Sequence, residues 1–118
     1  MGFTVGEHSA GHIRHILRMF LARWGLDELA DSGGLALTEL VANVVRHVPD
    51  SRCTVLILRE SHGLRVEVAD GVSGVLVARA AGPLEEGGRG LALVEAVTDR
   101  WGVMSGPEGK TVWFECDG

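Results

Sequence analysis

Glu39-Leu40-Val41-Ala42-Asn43-Val44-Val45-Arg46-His47 carries the pattern on which both fold and chemistry turn. Its apolar positions Leu40, Val41 and Val44 continue a stripe that begins at Leu37 and reaches Val48, at the three- and four-residue steps of one helix face. Pro49-Asp50 ends the pattern, because proline disfavours helical backbone in the residue before it. Beside the stripe, Glu39, Asn43 and Arg46/His47 set a carboxylate, a carboxamide and a basic group in one row. Asparagine is a mediocre helix former, but its carbonyl oxygen is a hard ligand suited to Mg²⁺, which keeps several waters and takes few protein oxygens. Glu39, one turn earlier, is placed to orient a water or to accept a proton from an attacking hydroxyl. Taken alone, the row is equally the solvated flank of an amphipathic helix.

On the N-terminal side, Ile13, Ile16, Leu17, Phe20, Leu21 and Trp24 recur at helical spacing and Gly25 follows as a stop, which predicts a first helix joined to the second by the acidic link Asp27-Glu28. On the C-terminal side, Cys53 to Arg59, a polar turn Glu60–Gly63 and the alternating Leu64–Val68 predict a β-hairpin with one face buried. From Asp70 to Gly90 periodicity is poor, and a mobile loop is expected. Gly90 then opens a third helix with Leu91, Val94, Val97 and Trp101 inward, before a second hairpin through Val103-Met104, a Gly106–Gly109 turn and Lys110 to Cys116. The order predicts helices packed on one face of a mainly antiparallel sheet.

Two further segments carry candidate chemistry. Asp70 stands where the alternating strand ends and Gly71-Val72-Ser73-Gly74 begins, so its carboxylate is an acceptor for an exocyclic amine such as that of adenine. An ordinary Asp-Gly turn is the plainer reading; as a loop group and not a core residue, Asp70 replaced by alanine is expected to weaken adenine nucleotides more than it changes folding. Gly87-Gly88-Arg89-Gly90 leads into the third helix, where unpaired N–H groups and the positive end of the helix dipole favour phosphate, with Arg89 as a second cationic contact. A flexible linker before a helix has the same composition. Gly109-Lys110-Thr111 imitates the end of a Walker A loop, but Met104 occupies its first glycine position. Gly88-Arg89-Gly90 likewise fails as a dinucleotide fingerprint, because Leu93 stands at the last glycine.

With 118 residues, the chain has the length of one domain spanning 1–118, and 46% hydrophobic with 23% charged residues excludes wholesale disorder. Glycine is the unusual component, 17 residues, about twice the ordinary ~7%, clustered in the second half where ligand contact is expected. A net charge of -5 without a Lys/Arg run argues against nucleic acid, and no apolar stretch is long enough for a membrane span. The opening MGFTVGEHSA lacks the features of a secretory leader, so the expected compartment is the cytoplasm. Cys53 and Cys116 lie far apart with no CxxC spacing, and no Gly-x-Ser-x-Gly elbow occurs.

The order of these pieces, Glu39–His47, Asp70–Gly74, Gly87–Leu93 and Gly109–Thr111, resembles the Bergerat-type (GHKL) ATP-binding fold, in particular the histidine-kinase-like ATPase domains of anti-sigma-factor serine kinases. The resemblance covers Ile13 to Glu115 and implies a two-layer α/β sandwich with helices on one face of a mixed, mainly antiparallel sheet. It implies Asn43 as the Mg²⁺ ligand, Glu39 as the catalytic base and Asp70 as the adenine contact. It places Arg46, His47, Gly74, Gly87, Gly88, Arg89, Gly90, Leu91 and Thr111 about the nucleotide, Thr111 supporting the adenine site. One departure is Val72, at the first glycine of the common Asp-x-Gly-x-Gly box. The implied cofactors are ATP and Mg²⁺; the implied partners are an anti-sigma-factor antagonist, phosphorylated on serine, and a sigma factor, with homodimerisation also expected. A nucleotide-binding switch, or an interaction module without phosphotransfer, is the alternative on the same fold.

Overall fold

The first residues already belong to a sheet: β1 (Gly2–Thr4) is a three-residue strand, too short for any alternation to be read in the sequence. In the computed structural model, which describes residues 2–4, 9–47, 52–70, 86–107 and 109–118, it is followed by α1 (Ser9–Trp24). Ile13, Leu17 and Leu21 of the predicted stripe are fully buried, and Ile16 and Trp24 are half-buried against the same core. Gly25 stops the helix with φ +70°, a left-handed backbone that glycine adopts without a Cβ penalty. The Leu26 N–H then donates to the Leu21 carbonyl (2.9 Å) and the Gly25 N–H to the Ala22 carbonyl (3.3 Å), so two orphan carbonyls are satisfied.

The expected acidic link is a single 3₁₀ turn, Asp27–Leu29, and α2 (Ala30–His47) begins a full two turns before the stripe that predicts it. Gly33 and Gly34 lie inside this helix although glycine costs about 1 kcal/mol there relative to alanine. Packing overrides propensity at Gly33: a Cβ would stand 3.0 Å from Leu64 Cδ2 and 3.5 Å from Leu17 Cδ2, so the missing side chain lets α2 settle against α1 and the sheet. The hairpin follows as β2 (Arg52–Glu60) and β3 (Gly63–Asp70). After residues 71–85, which lie outside the described part together with most of the expected loop, come α3 (Glu86–Val97), β4 (Arg100–Gly106) and β5 (Gly109–Asp117). Trp101, expected on the third helix, belongs instead to β4, where it faces Phe114 of β5 and remains half-buried.

The five strands run in the order β1-β2-β3-β5-β4, with every described pairing antiparallel where a mixed, mainly antiparallel sheet was expected. α2 is the central helix, packed between α1 and α3 and over β3 and β5. The two-layer α/β sandwich is therefore as the sequence predicts. Because side chains alternate along a strand, one face supplies the core: Leu64, Val66 and Val68 from β3 and Val112, Phe114 and Cys116 from β5. Each fully buried aliphatic or aromatic side chain contributes roughly 1.5–3 kcal/mol of transfer free energy. The opposite face is open and leaves Leu56 and Leu58 exposed.

Candidate functional site

At one end of the interface between α2 and the sheet, the apolar core gives way to polar groups. Asn43 from α2, Asp70 from the end of β3 and Lys110 from β5 line a small cavity of about 20 Å³, with Leu40, Val44, Val68 and Val112 as its apolar walls. Helical periodicity aims Asn43 at this point, because Leu40 and Val44 on either side of it hold that flank of α2 on the sheet. Asp70 and Lys110 are brought together by register: they are direct partners on the antiparallel β3–β5 pair. Lys110 Nζ donates to Asp70 Oδ2 at 2.6 Å, and the two side chains are 5% and 3% exposed. Asp70 is half-buried as a residue only because its backbone is accessible; its carboxylate belongs to the interior. The same two residues also line a larger hollow of about 560 Å³, formed with Thr111 and the β4–β5 turn.

The electrostatics follow from this pair. A buried carboxylate is tolerated because an ammonium touches it, and the ammonium for the same reason. Cys53 of β2 lies within reach of the carboxylate; burial first and the Asp70 charge second push its thiol up to about 11, so it is protonated at neutral pH and not a nucleophile. Burial does the same for Cys116, also pushed up to about 11.

Glu39 lies one turn before Asn43 on α2 and is half-buried, so the expected carboxylate–carboxamide row is present. Arg46 and His47 continue that helix in backbone, but their side chains lie outside the described part, as does Gly74 altogether. Gly87, Gly88, Arg89 and Gly90 are not a loop before the helix: α3 is helical from Glu86, so these residues form its first turn. The sequence-based start at Gly90 is thus corrected by four residues, and the amides of Gly87 and Gly88 fall among those that lack an intrahelical acceptor. Leu91 is a core residue, 5% exposed.

Thr111 and Lys110 lie on opposite faces of β5, and both line the larger hollow beside Asp70. On β5 the inward positions are Lys110, Val112, Phe114 and Cys116, so Thr111 stands on the opposite face and is absent from the cavity that Asn43 and Asp70 share. Lys110, which the sequence presents as part of a false Walker motif, is the polar β5 residue that joins Asn43 and Asp70 at the small cavity. Its parity with the apolar run Val112, Phe114, Cys116 was the available signal.

The open face carries a separate ionic cluster. Arg65 donates to Glu67 (2.8 Å) and Glu115 (3.0 Å), Arg100 to Glu115 (2.8 Å) and to Asp117, and the Arg65 guanidinium lies 4.4 Å over the Trp113 ring. The hydrogen bond from Arg100, followed by that from Arg65, holds the Glu115 carboxyl below its usual range. Among the described residues no group of three or more His, Cys, Asp and Glu side chains is placed to hold a metal ion. No described helix is long and apolar enough to cross a membrane.

No curated protein matches the sequence. Among solved structures, a chain of the SiaB–SiaC complex from Pseudomonas aeruginosa is similar with a TM-score of 0.65 and 18% identity, over 97% of this chain and 87% of that one. At that identity the likeness speaks to the fold alone. The sequence family described as the histidine kinase-like ATPase domain matches residues 5–116, and with nearly the whole length covered the chain belongs to that family.

Proposed function

We propose that the chain, acting as one domain over residues 1–118, binds ATP with Mg²⁺ and is a regulatory serine-protein kinase of the anti-sigma-factor type. The observation that carries the reading is the convergence of Asn43 and Asp70 on one cavity, with Glu39 a turn away on the same helix. The family is one of ATPase domains, and the similar SiaB–SiaC structure is a complex of two proteins, which supports a protein partner here. The proposed acceptor is a serine of an anti-sigma-factor antagonist, and the same regulator would sequester a sigma factor and pair with a second copy of itself.

The donor set fits Mg²⁺ better than a metal that needs a cage of protein ligands: Asn43 offers one hard oxygen, and the remaining positions suit water and phosphate. When bound, Mg²⁺ would neutralise phosphate charge during transfer. The remaining work falls to the chain. Asp70 accepts the adenine amine, the first-turn amides of α3 at Gly87 and Gly88 donate to phosphate oxygens, and Arg89 adds charge near them. Glu39 takes the proton from the serine hydroxyl as its oxygen bonds to the γ-phosphorus, and ADP departs with the electrons of the broken phosphoanhydride bond.

Single-turnover transfer from labelled ATP to a co-purified partner tests this reading. Glu39→Ala should keep nucleotide and partner binding and lose about 10²-fold or more in rate, the scale of a positioned base. An unchanged rate removes Glu39 as base; ATP binding without any transfer by the parent selects the switch without phosphotransfer. A monomer mass by light scattering at tens of micromolar protein would count against the homodimer.

A further inference from the structure

A lysine ammonium has three N–H donors, yet the Lys110 side chain is 5% exposed and among the described residues it donates to Asp70. Burying a cation is costly unless its donors are used. The ammonium and its carboxylate partner stand side by side, 2.6 Å apart, at the junction of the small cavity toward Asn43 and the larger hollow beside the β4–β5 turn. A hollow of about 560 Å³ lies within the usual range for a small-molecule site. An acceptor and a donor held next to each other form a two-point reader for a ligand edge that carries the complementary pair.

We propose that Lys110 is a specificity-determining residue of this site, donating to N1 of adenine while Asp70 accepts from the exocyclic amine. The proposal rests on the nucleotide-binding reading above and adds to it the group that reads the second atom of the base. Adenine presents an N–H₂ donor and the N1 acceptor as neighbours on its pairing edge, which matches carboxylate beside ammonium. Guanine and hypoxanthine in the same pose present a carbonyl oxygen to the carboxylate and an N1–H to the ammonium, two mismatches in a desolvated place. Sites that hydrogen-bond a ligand group reject analogues that leave their buried polar atoms unpaired far more strongly than apolar pockets reject a changed shape. The register supports the assignment, since Lys110 and Asp70 are direct cross-strand partners and the β3–β5 ladder holds their backbones opposite each other.

Isothermal titration of the full chain in Mg²⁺ with ATP, 1-deaza-ATP (a C–H in place of N1), ITP and GTP tests it. The parent should bind 1-deaza-ATP at least about 10-fold more weakly than ATP, the scale of a hydrogen bond to a charged group, and reject ITP and GTP more strongly. Lys110→Met should bind ATP more weakly than the parent and no longer distinguish ATP from 1-deaza-ATP. Equal binding of ATP and 1-deaza-ATP by the parent overturns the role of Lys110 while leaving the nucleotide site standing, and needs no variant to fold. Retained discrimination in Lys110→Met also overturns it, since another group must then read N1. Absence of any ATP binding by the parent overturns the nucleotide reading and this inference with it.

Discussion

Replacing Asp70 by alanine should damage the fold first and ligand binding second. As a residue just past a strand it reads in the sequence as a loop group of little structural weight, but its carboxylate is 3% exposed and 2.6 Å from a lysine that is 5% exposed. At an effective dielectric of about 20 that separation corresponds to roughly 6 kcal/mol of attraction, set against a desolvation penalty of several kcal/mol for each ion. The intact pair is therefore close to neutral in net stability. Removing only the carboxylate leaves the ammonium's penalty uncompensated, and Asp70→Ala should cost about 3–5 kcal/mol, the range for breaking one half of a buried pair. For a chain of 118 residues that is about 12–20 °C in Tm. Asp70→Ala combined with Lys110→Met removes both ions and should recover to within about 1–2 kcal/mol of the parent, because an apolar replacement of the pair has no charge to desolvate. Urea denaturation of the parent, both single variants and the double variant, with equal m values, gives the coupling directly. If Asp70→Ala costs less than about 1 kcal/mol, or the double variant is no more stable than Asp70→Ala, the carboxylate and ammonium are not paired in the interior and the argument fails.

Three other outcomes are expected. Nucleotide should raise Tm more with Mg²⁺ than without it, and Asn43→Ala should abolish that difference while leaving Tm of the free protein within a few degrees; a retained Mg²⁺ dependence in thermal shift would assign the metal elsewhere. Because the folded pKa of Glu115 lies below its unfolded value, its stabilisation is fully present above about pH 4.5 and is lost as pH falls through the folded pKa; Glu115→Gln should cost about 1 kcal/mol at neutral pH and flatten that part of the acid limb, and parallel acid limbs would contradict it. Phe114→Ala, at a position with 0% exposure in the centre of the sheet, should cost about 3–5 kcal/mol by denaturation, and a loss below 1 kcal/mol would mean that β5 is not the core strand described.

The helices and hairpins were legible in the sequence because their signals are local. The stripe Ile13, Leu17, Leu21 and the stripe Leu37, Leu40, Val41, Val44 each fall on one helix face whatever the rest of the chain does, and the alternation Leu64, Val66, Val68 marks a strand in the same way. The row Glu39–Asn43 was legible for the same reason, since a fixed helical step places one residue above the other. What failed is what depends on distant partners. Gly33 is a poor helix former, and only the approach of Leu64 and Leu17 shows why a helix carries it there. The first turn of α3 took its glycines despite their propensity, and β1 is a strand only because β2 lies beside it. At the site, the pairing of Lys110 with Asp70 is likewise a matter of distant partners. Thr111 and Lys110 are adjacent in sequence, and a strand sends adjacent side chains to opposite faces, so which of the two meets Asp70 is decided by the register of β3 on β5 and by the face that α2 covers. Residues 40 apart in the chain become a buried ion pair through that register alone, a contact that no local periodicity can encode.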